Sequence, residues 1–431
     1  MKKPVLQVAL DVMNLHRALQ IAKEAVEGGV DWVEAGTPLI KSEGLESIRE
    51  LKRSFPKHII VADMKTMDVG TVEVEMASKA GADVICILGV ADDATITEAV
   101  KAGRRYGAKI MVDLLRTPDP VKRAKDVEKF GADYVCLHVG VDQQMRKENP
   151  LENVRKVAQS VGMPVAAAGG LNSENAPKVV NAGASIIIAG SAIIKSPDVT
   201  NATQIMKRAI SEVKSIPSEL FQKYGQEELK EAFMKVSTPN IADAMHTKGA
   251  MKGISPRINH GTKMVGRAIT VKTMDGDWAK PVEAVDRCDK GGVIVIDANG
   301  GYIAIWGELA SWSCKKKGIA GVVIDGAARD IDDILEMDFP LFSRHIAPNA
   351  GEPKGHGEIG CEITCGEQIV RTGDWIVGDE SGAVVVPKEI AIEVANRALD
   401  VHERENRLRE EIKRGSTLSK VLKLEKWEKV G

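Results

Sequence analysis

The sequence predicts an α/β protein: a (β/α)8 TIM barrel in the first half, followed by an independent second α/β domain. Three observations predict it. A short phrase recurs as Gly29-Val30-Asp31-Trp32-Val33, Gly81-Ala82-Asp83-Val84-Ile85, Gly131-Ala132-Asp133-Tyr134-Val135 and Gly183-Ala184-Ser185-Ile186-Ile187, with glycine intervals of 52, 50 and 52 residues. Each interval holds a second strand-like run, and Val5 to Leu10 precedes the first. After Ser215-Ile216-Pro217-Ser218 the texture changes to short, glycine-punctuated β-rich runs. The domains are therefore set at 1–214 and 228–390, with a linker at 215–227 and a charged tail at 391–431.

Taken in order, the barrel strands are Val5 to Leu10, the run after Gly29, Ile59 to Met64, the run after Gly81, Lys109 to Leu114, the run after Gly131, Pro164 to Ala168 and the run after Gly183. Helical periodicity lies between them, as in Leu15 to Val26 and Val121 to Phe130. Strand and helix alternating at about 25 residues per unit, eight times, close a parallel barrel. An open doubly wound sheet is the competing architecture, but it does not require a fourfold repeat.

Catalytic groups of such barrels sit at the C-terminal strand ends. Here those ends read Asp11, Glu34, Asp63 with Lys65, Gly89, Asp113, His138, Gly169-Gly170 and Gly190-Ser191. Strand alternation projects Asp63 and Lys65 the same way. Burying two opposite charges costs several kcal/mol per ion unless partners offset it, which favours a catalytic or metal-binding role over a structural one. Glycines after the seventh and eighth strands let backbone N–H groups approach an anion, so a small phosphorylated substrate is expected. On the residues alone each glycine pair also suits a tight turn, and a lone histidine at a strand end reads first as structural.

Composition narrows the classes. A net charge of −2 with 28% charged residues gives no electrostatic case for nucleic acid or an anionic membrane, and 4% aromatics offer few stacking platforms. The start, Met1-Lys2-Lys3-Pro4 and six mostly apolar residues before Asp11, is too short for a signal peptide, and no run is long enough to span a membrane. A soluble cytoplasmic protein is expected. Cys86 and Cys136 lie in apolar strand runs and suit small buried hydrophobes, while Cys361 and Cys365, even with His356 nearby, lack the second pair that a zinc site needs.

The combination of Gln7-Val8-Ala9-Leu10-Asp11, Glu34-Ala35-Gly36-Thr37-Pro38-Leu39-Ile40 and Asp63-x-Lys65-x-x-Asp68 resembles the orotidine monophosphate decarboxylase superfamily. Within it, Gly89-Val90-Ala91-Asp92-Asp93-Ala94-Thr95 and His138-Val139-Gly140-Val141-Asp142-Gln143 resemble the 3-hexulose-6-phosphate synthases, over residues 1 to about 210. The resemblance implies an aldehyde-lyase that reversibly joins formaldehyde to ribulose 5-phosphate, as a homo-oligomer with active sites at a dimer interface. It implies Mg2+, with Mn2+ as a substitute, on Glu34 and Asp63, where hard oxygen ligands suit the ion. It also implies Lys65 beside an enediolate, Asp68 reaching across from a partner subunit, Asp11 accepting from sugar hydroxyls and His138 as the base. The neighbouring 3-keto-L-gulonate-6-phosphate decarboxylases carry an arginine where this chain has Val141, which argues against decarboxylation and leaves it as the alternative.

In the second domain Met264 to Val271, Val293 to Asp297, Val322 to Asp325, Trp375 to Val377 and Ala383 to Val386 read as strands. Trp306-Gly307-Glu308-Leu309-Ala310 opens a helix whose N-terminal amides can receive a carboxylate. Arg329 suits a bidentate carboxylate contact and Asp330 a hard divalent metal, although a surface ion pair on a turn explains them equally well. With Ser237-Thr238-Pro239-Asn240-Ile241-Ala242-Asp243-Ala244 and Gly373-Asp374-Trp375-Ile376-Val377-Gly378-Asp379, this half resembles the regulator of ribonuclease activity family, which includes the 4-hydroxy-4-methyl-2-oxoglutarate aldolases. The resemblance implies a three-layer swivelling α/β fold and trimers or hexamers. It places pyruvate or oxaloacetate on the amides of Gly307, Glu308, Leu309 and Ala310 and on Arg329, with a metal at Asp330. A regulatory or oligomerising module without catalysis is the alternative for this half, since the fold serves both roles. The charged tail reads as a solvated helix packed on a neighbouring subunit.

Overall fold

The computed structural model describes residues 3–138, 151–218, 222–422 and 424. Val141, on which the argument against decarboxylation turned, lies outside the described residues. The chain forms two units: one runs to Lys223 and resumes from Glu403, and the other is Tyr224–His402.

In the first unit β1 (Val5–Leu10), β2 (Trp32–Ala35), β3 (Ile59–Thr66), β4 (Val84–Leu88), β5 (Lys109–Asp113), β6 (Tyr134–His138), β7 (Val165–Ala168) and β8 (Ile186–Ala189) form a closed barrel in chain order. Each strand pairs parallel with the next, and β1 pairs parallel with β8. These are the strands read from the sequence. The recurring phrase has a structural cause. Gly29, Gly81, Gly131 and Gly183 take φ of 91°, 107°, 90° and 111°, the left-handed turn that ends a helix and that glycine makes without a Cβ penalty. The aspartate two places on then ties an even strand to the odd strand before it: Leu6 donates its N–H to Asp31 at 2.7 Å, Ile60 to Asp83 at 2.7 Å and Ile110 to Asp133 at 2.9 Å.

Strand alternation sends Leu6, Val8 and Leu10 outward against the helices, while Ala9, Val61, Cys86, Met111, Cys136, Ala166 and Ile186 pack together in a second cluster. Cys86 and Cys136 are indeed small buried hydrophobes, and burial pushes both thiols up. One local feature departs from simple alternation. Asp63 pairs with Cys86 and Thr66 with Ile87, so Met64 and Lys65 form a bulge, and Lys65 sits at φ 48°. A bulge re-aims a side chain, and a left-handed lysine is strained. Asp63 and Lys65 do converge, but through this bulge.

The second unit is built on a mixed sheet. Along its main path the order is β19 (Gly382–Val386), β18 (Trp375–Asp379), β10 (Met264–Lys272), β11 (Val293–Asp297), β13 (Gly321–Ala328), β14 (Leu341–Ile346) and β9 (Ser255–Arg257), with β12 (Ala304–Trp306) on β13 and β15 (Glu358–Ile359) on β10. Alternate residues face opposite ways: Ile294, Ile296, Val322 and Ile324 pack in the cluster that includes Ala284 and Cys314 of helices Ala279–Arg287 and Glu308–Lys317. Val293, Val295 and Val323 pack instead with Ile363 and Val370 of the hairpin β16 (Ile363–Cys365) and β17 (Gln368–Val370). The predicted layered α/β architecture is therefore present. Helix Ala391–Lys413 starts in the second unit, and its part from Glu403 belongs with the first. Expected to be a solvated helix, that part buries Arg407, 1% exposed, against carbonyls of its own barrel. Among the described residues no helix is long and apolar enough to cross a membrane.

Candidate active site

Asp113, at the end of β5, is the hub of the barrel rim. Its Oδ2 lies 2.9 Å from Lys65 Nζ and 3.0 Å from His138 Nδ1, and its Oδ1 accepts the Leu115 N–H at 2.9 Å. Lys65 Nζ is also 3.0 Å from Asp63 Oδ2, which the Thr37 hydroxyl approaches at 2.9 Å. A continuous chain Thr37–Asp63–Lys65–Asp113–His138 thus spans the ends of β3, β5 and β6.

The charges set each other's protonation. Burial works against the Asp113 carboxylate, but His138 and Lys65 outweigh it and hold the carboxyl at about 2. That lowering stabilises the fold above the ordinary value of 3.8, and the contribution is lost as pH falls through about 2. Burial likewise opposes the Lys65 ammonium, and Asp113 and Asp63 more than compensate, so its pKa is raised. With His138 Nδ1 engaged by the Asp113 carboxylate, Nε2 is the ring nitrogen that Asp113 does not occupy.

Glu34 on β2 is buried, and Gln7 of β1 donates its Nε2 to Glu34 Oε2. Burial, then the charges of Asp63 and Asp11, push the Glu34 carboxyl well up. Asp11 opens to solvent at the barrel mouth yet is closely ringed by protein, and that enclosure, then Asp63, raises its carboxyl too. An added Cβ on Gly36 would fall 2.3 Å from Asp11 Oδ1, so glycine is required there, and one on Gly190 would lie 3.6 Å from Oδ2. Gly169 and Gly170, after β7, take φ of 96° and 70° in succession, and Gly190-Ser191 follows β8 into a short helix, Ser191–Ile194. The rim thus gathers Asp11, Glu34, Asp63, Lys65 and His138 as expected. Asp68 stands apart: it is exposed, and its Oδ1 accepts its neighbour Val69's N–H at 2.7 Å.

Among the described residues no group of three or more His, Cys, Asp and Glu side chains is placed to hold a metal ion by itself, so a hard divalent cation here would rest on the pair Glu34 and Asp63, with water and substrate oxygens completing its shell. The charge of Asp63 raises the cost of ionising both Asp11 and Glu34, and the Oε1 of buried Gln7 has no hydrogen-bond partner. Sequence reasoning placed Asp113 on the rim without giving it a role, and it passed over Gln7 and Thr37. Gln7, one polar residue inside an apolar strand, was the available signal.

In the second unit Arg329 and Asp330 follow β13. Asp330 Oδ2 accepts the Glu308 N–H at 3.2 Å and lies 3.4 Å from Arg329 Nε, and Asp330 itself sits at φ 58°. An added Cβ on Gly307 would fall 2.4 Å from Asp330 Oδ2. The start of helix Glu308–Lys317, with Leu309 79% exposed, therefore faces the Arg329–Asp330 pair, and the structure brings these predicted residues together.

A family model described as Orotidine 5'-phosphate decarboxylase / HUMPS family matches residues 4–205, and one described as RraA-like, Aldolase/RraA, matches residues 238–385. The chain belongs to the first family through its barrel and carries an RraA-like domain after it. More particularly, it is 38% identical over 206 residues to a 3-hexulose-6-phosphate synthase of Bacillus subtilis (strain 168), covering 48% of this chain and 98% of the relative. Another from Mycobacterium gastri is 40% identical, over 48% of this chain and 99% of the relative. A crystal structure of 3-hexulose-6-phosphate synthase matches with 40% identity, 48% of this chain, 99% of that chain and a TM-score of 0.46.

Proposed function

We propose that the barrel is a carbon–carbon lyase of the aldehyde-lyase type, reversibly condensing formaldehyde with ribulose 5-phosphate to a 3-hexulose 6-phosphate. The observation that carries this reading is Asp113 bridging Lys65 and His138, because it supplies a base and a fixed cation on one rim. His138 Nε2 takes a proton from C1 of ribulose 5-phosphate, and Lys65 Nζ stands beside the negative charge that develops. C1 then bonds to the formaldehyde carbon, and the resulting alkoxide takes up a proton. Asp11 accepts from sugar hydroxyls, and amides at Gly169, Gly170, Gly190 and Ser191 receive the phosphate. Glu34 and Asp63 would hold Mg2+, or Mn2+ in its place, which supplies further positive charge for the substrate oxygens.

The working form in this reading is a cytoplasmic homo-oligomer. Asp68, with exposed Met67, Val69, Val72 and Met76 around it, is offered to a partner subunit. Free cysteines throughout suit a reducing compartment. The test is an assay of formaldehyde and ribulose 5-phosphate consumption: Mg2+ is expected to support it, EDTA to abolish it and added Mg2+ to restore it. Full activity in metal-free protein would remove the metal from the account.

The second domain, in the same reading, binds a small 2-oxo acid such as pyruvate or oxaloacetate with a divalent metal. Support comes from the Glu308 amide and Arg329 meeting at one oxygen of Asp330. Full-length protein is expected to decarboxylate oxaloacetate with Mg2+ or Mn2+, and Arg329→Ala or Asp330→Ala to abolish this while the barrel reaction continues. A wild-type protein that neither binds pyruvate nor turns over oxaloacetate would make this half a partner-binding module.

A further inference from the structure

The tail from Glu403 lies outside both matched families: the barrel match ends at residue 205 and the RraA-like match at 385. The synthase relatives, aligned over 98–99% of their own length, end with the barrel and contain no counterpart of it. Yet this stretch belongs with the barrel, and it carries Arg407, the largest fully buried side chain among the described residues. A guanidinium is not buried without partners, so what it touches indicates what the tail does.

Arg407 Nη1 donates to the carbonyls of Ser196 and Pro197 at 3.1 and 3.2 Å, and Nε to Glu411 Oε1 at 3.1 Å. Glu411 Oε1 also accepts from Arg17 Nε at 2.9 Å, and Arg414 Nη2 donates to the Pro197 carbonyl at 3.1 Å. Arg17 lies on helix Leu15–Glu27, which follows β1; Ser196 and Pro197 follow β8. β1 and β8 are the pair that closes the barrel. The tail therefore staples the seam between the first and last barrel strands, and in each of these links an arginine donates to a carbonyl or carboxylate.

The same seam separates two parts of the proposed site. Asp11 stands at the end of β1 and Gly190-Ser191 at the end of β8, and an added Cβ on Gly190 would come 3.6 Å from Asp11 Oδ2. Only one short turn joins the clamped carbonyls to Gly190: Ser196 donates its N–H to the Ile193 carbonyl at 3.1 Å, Lys195 to that of Ser191 at 3.1 Å, and Ile193 to that of Gly190 at 2.9 Å. Ala192, Ile193 and Ile194 are buried, so this turn moves as a packed unit. Lys195 within it is close enough to act electrostatically on Asp11.

We infer that Arg407 is a positioning residue for the barrel reaction: by clamping the Ser196–Pro197 carbonyls to the tail, it sets the phosphate-side loop after β8 against Asp11. The inference rests on the placement of phosphate at Gly190-Ser191. Loss of the clamp loosens substrate holding and leaves the chain Asp63–Lys65–Asp113–His138 untouched, so the effect falls on KM.

The experiment uses the full-length chain. In Arg407→Ala the KM for ribulose 5-phosphate is expected to rise about tenfold, with kcat within about twofold of wild type. Competitive inhibition by inorganic phosphate should weaken in parallel. Arg414→Ala, at a half-exposed side chain and so expected to fold, should raise KM by about threefold. A folded Arg407→Ala with unchanged KM and phosphate inhibition, or with a fallen kcat and unchanged KM, overturns the positioning role. If Arg407→Ala does not fold, an unchanged KM in Arg414→Ala overturns it equally. Wild-type protein indifferent to inorganic phosphate but active on ribulose 5-phosphate would overturn the phosphate placement itself, a failure distinct from the other two.

Discussion

Asp113→Asn is expected to lower turnover about a thousandfold. The carboxylate fixes the His138 tautomer by accepting at Nδ1 and holds Lys65 Nζ at 2.9 Å through the same oxygen. An asparagine amide can face the imidazole with its NH2 group, which puts the histidine proton on Nε2 and removes the base; losing the carboxylate from an Asp–His pair costs a factor of this order or more in well-studied hydrolases. Substrate binding should persist, because the phosphate and sugar contacts proposed for this site lie at β1, β7 and β8. The measurement is kcat at saturating ribulose 5-phosphate, with ligand binding measured separately. Turnover within tenfold of wild type would show that His138 does not act through Nε2.

Lys65→Ala should lower turnover about a hundredfold, roughly 3 kcal/mol of lost transition-state stabilisation, with little change in KM. Position is the reason: Lys65 sits between Asp63 and Asp113, across the rim from the glycines after β7 and β8. Unchanged turnover with a raised KM would instead make Lys65 a phosphate ligand. The variant also leaves Asp63 and Asp113 without their shared cation, so a loss of stability is expected alongside.

The barrel was legible because its repeat is mechanical. Each Gly-x-Asp phrase ends a helix and ties down a strand, so the residues that build the fold are those that repeat. Strand ends were legible for the same reason, and they carried Asp11, Glu34, Asp63, Lys65 and His138 into view. The bulge at Met64-Lys65 was not, since nothing in a sequence marks two residues that leave the ladder. Nor was the role of Asp113, which depends on β5 lying between β3 and β6 around a closed ring. In the second unit the short strands β9, β12, β15, β16 and β17, of two or three residues each, are too brief to show a period. Arg407 was hidden by its surroundings: in the run Glu403 to Glu411 it reads as one charge among many on a solvated face, and only the carbonyls it meets distinguish it.

The most direct test of the central claim is to supply 13C-formaldehyde with ribulose 5-phosphate and Mg2+ and follow the label by NMR. The account predicts label in a six-carbon sugar phosphate, with none formed by Asp113→Asn on the same timescale. Release of carbon dioxide from 3-keto-gulonate 6-phosphate, with no label entering a six-carbon product, would contradict it and make the barrel a decarboxylase.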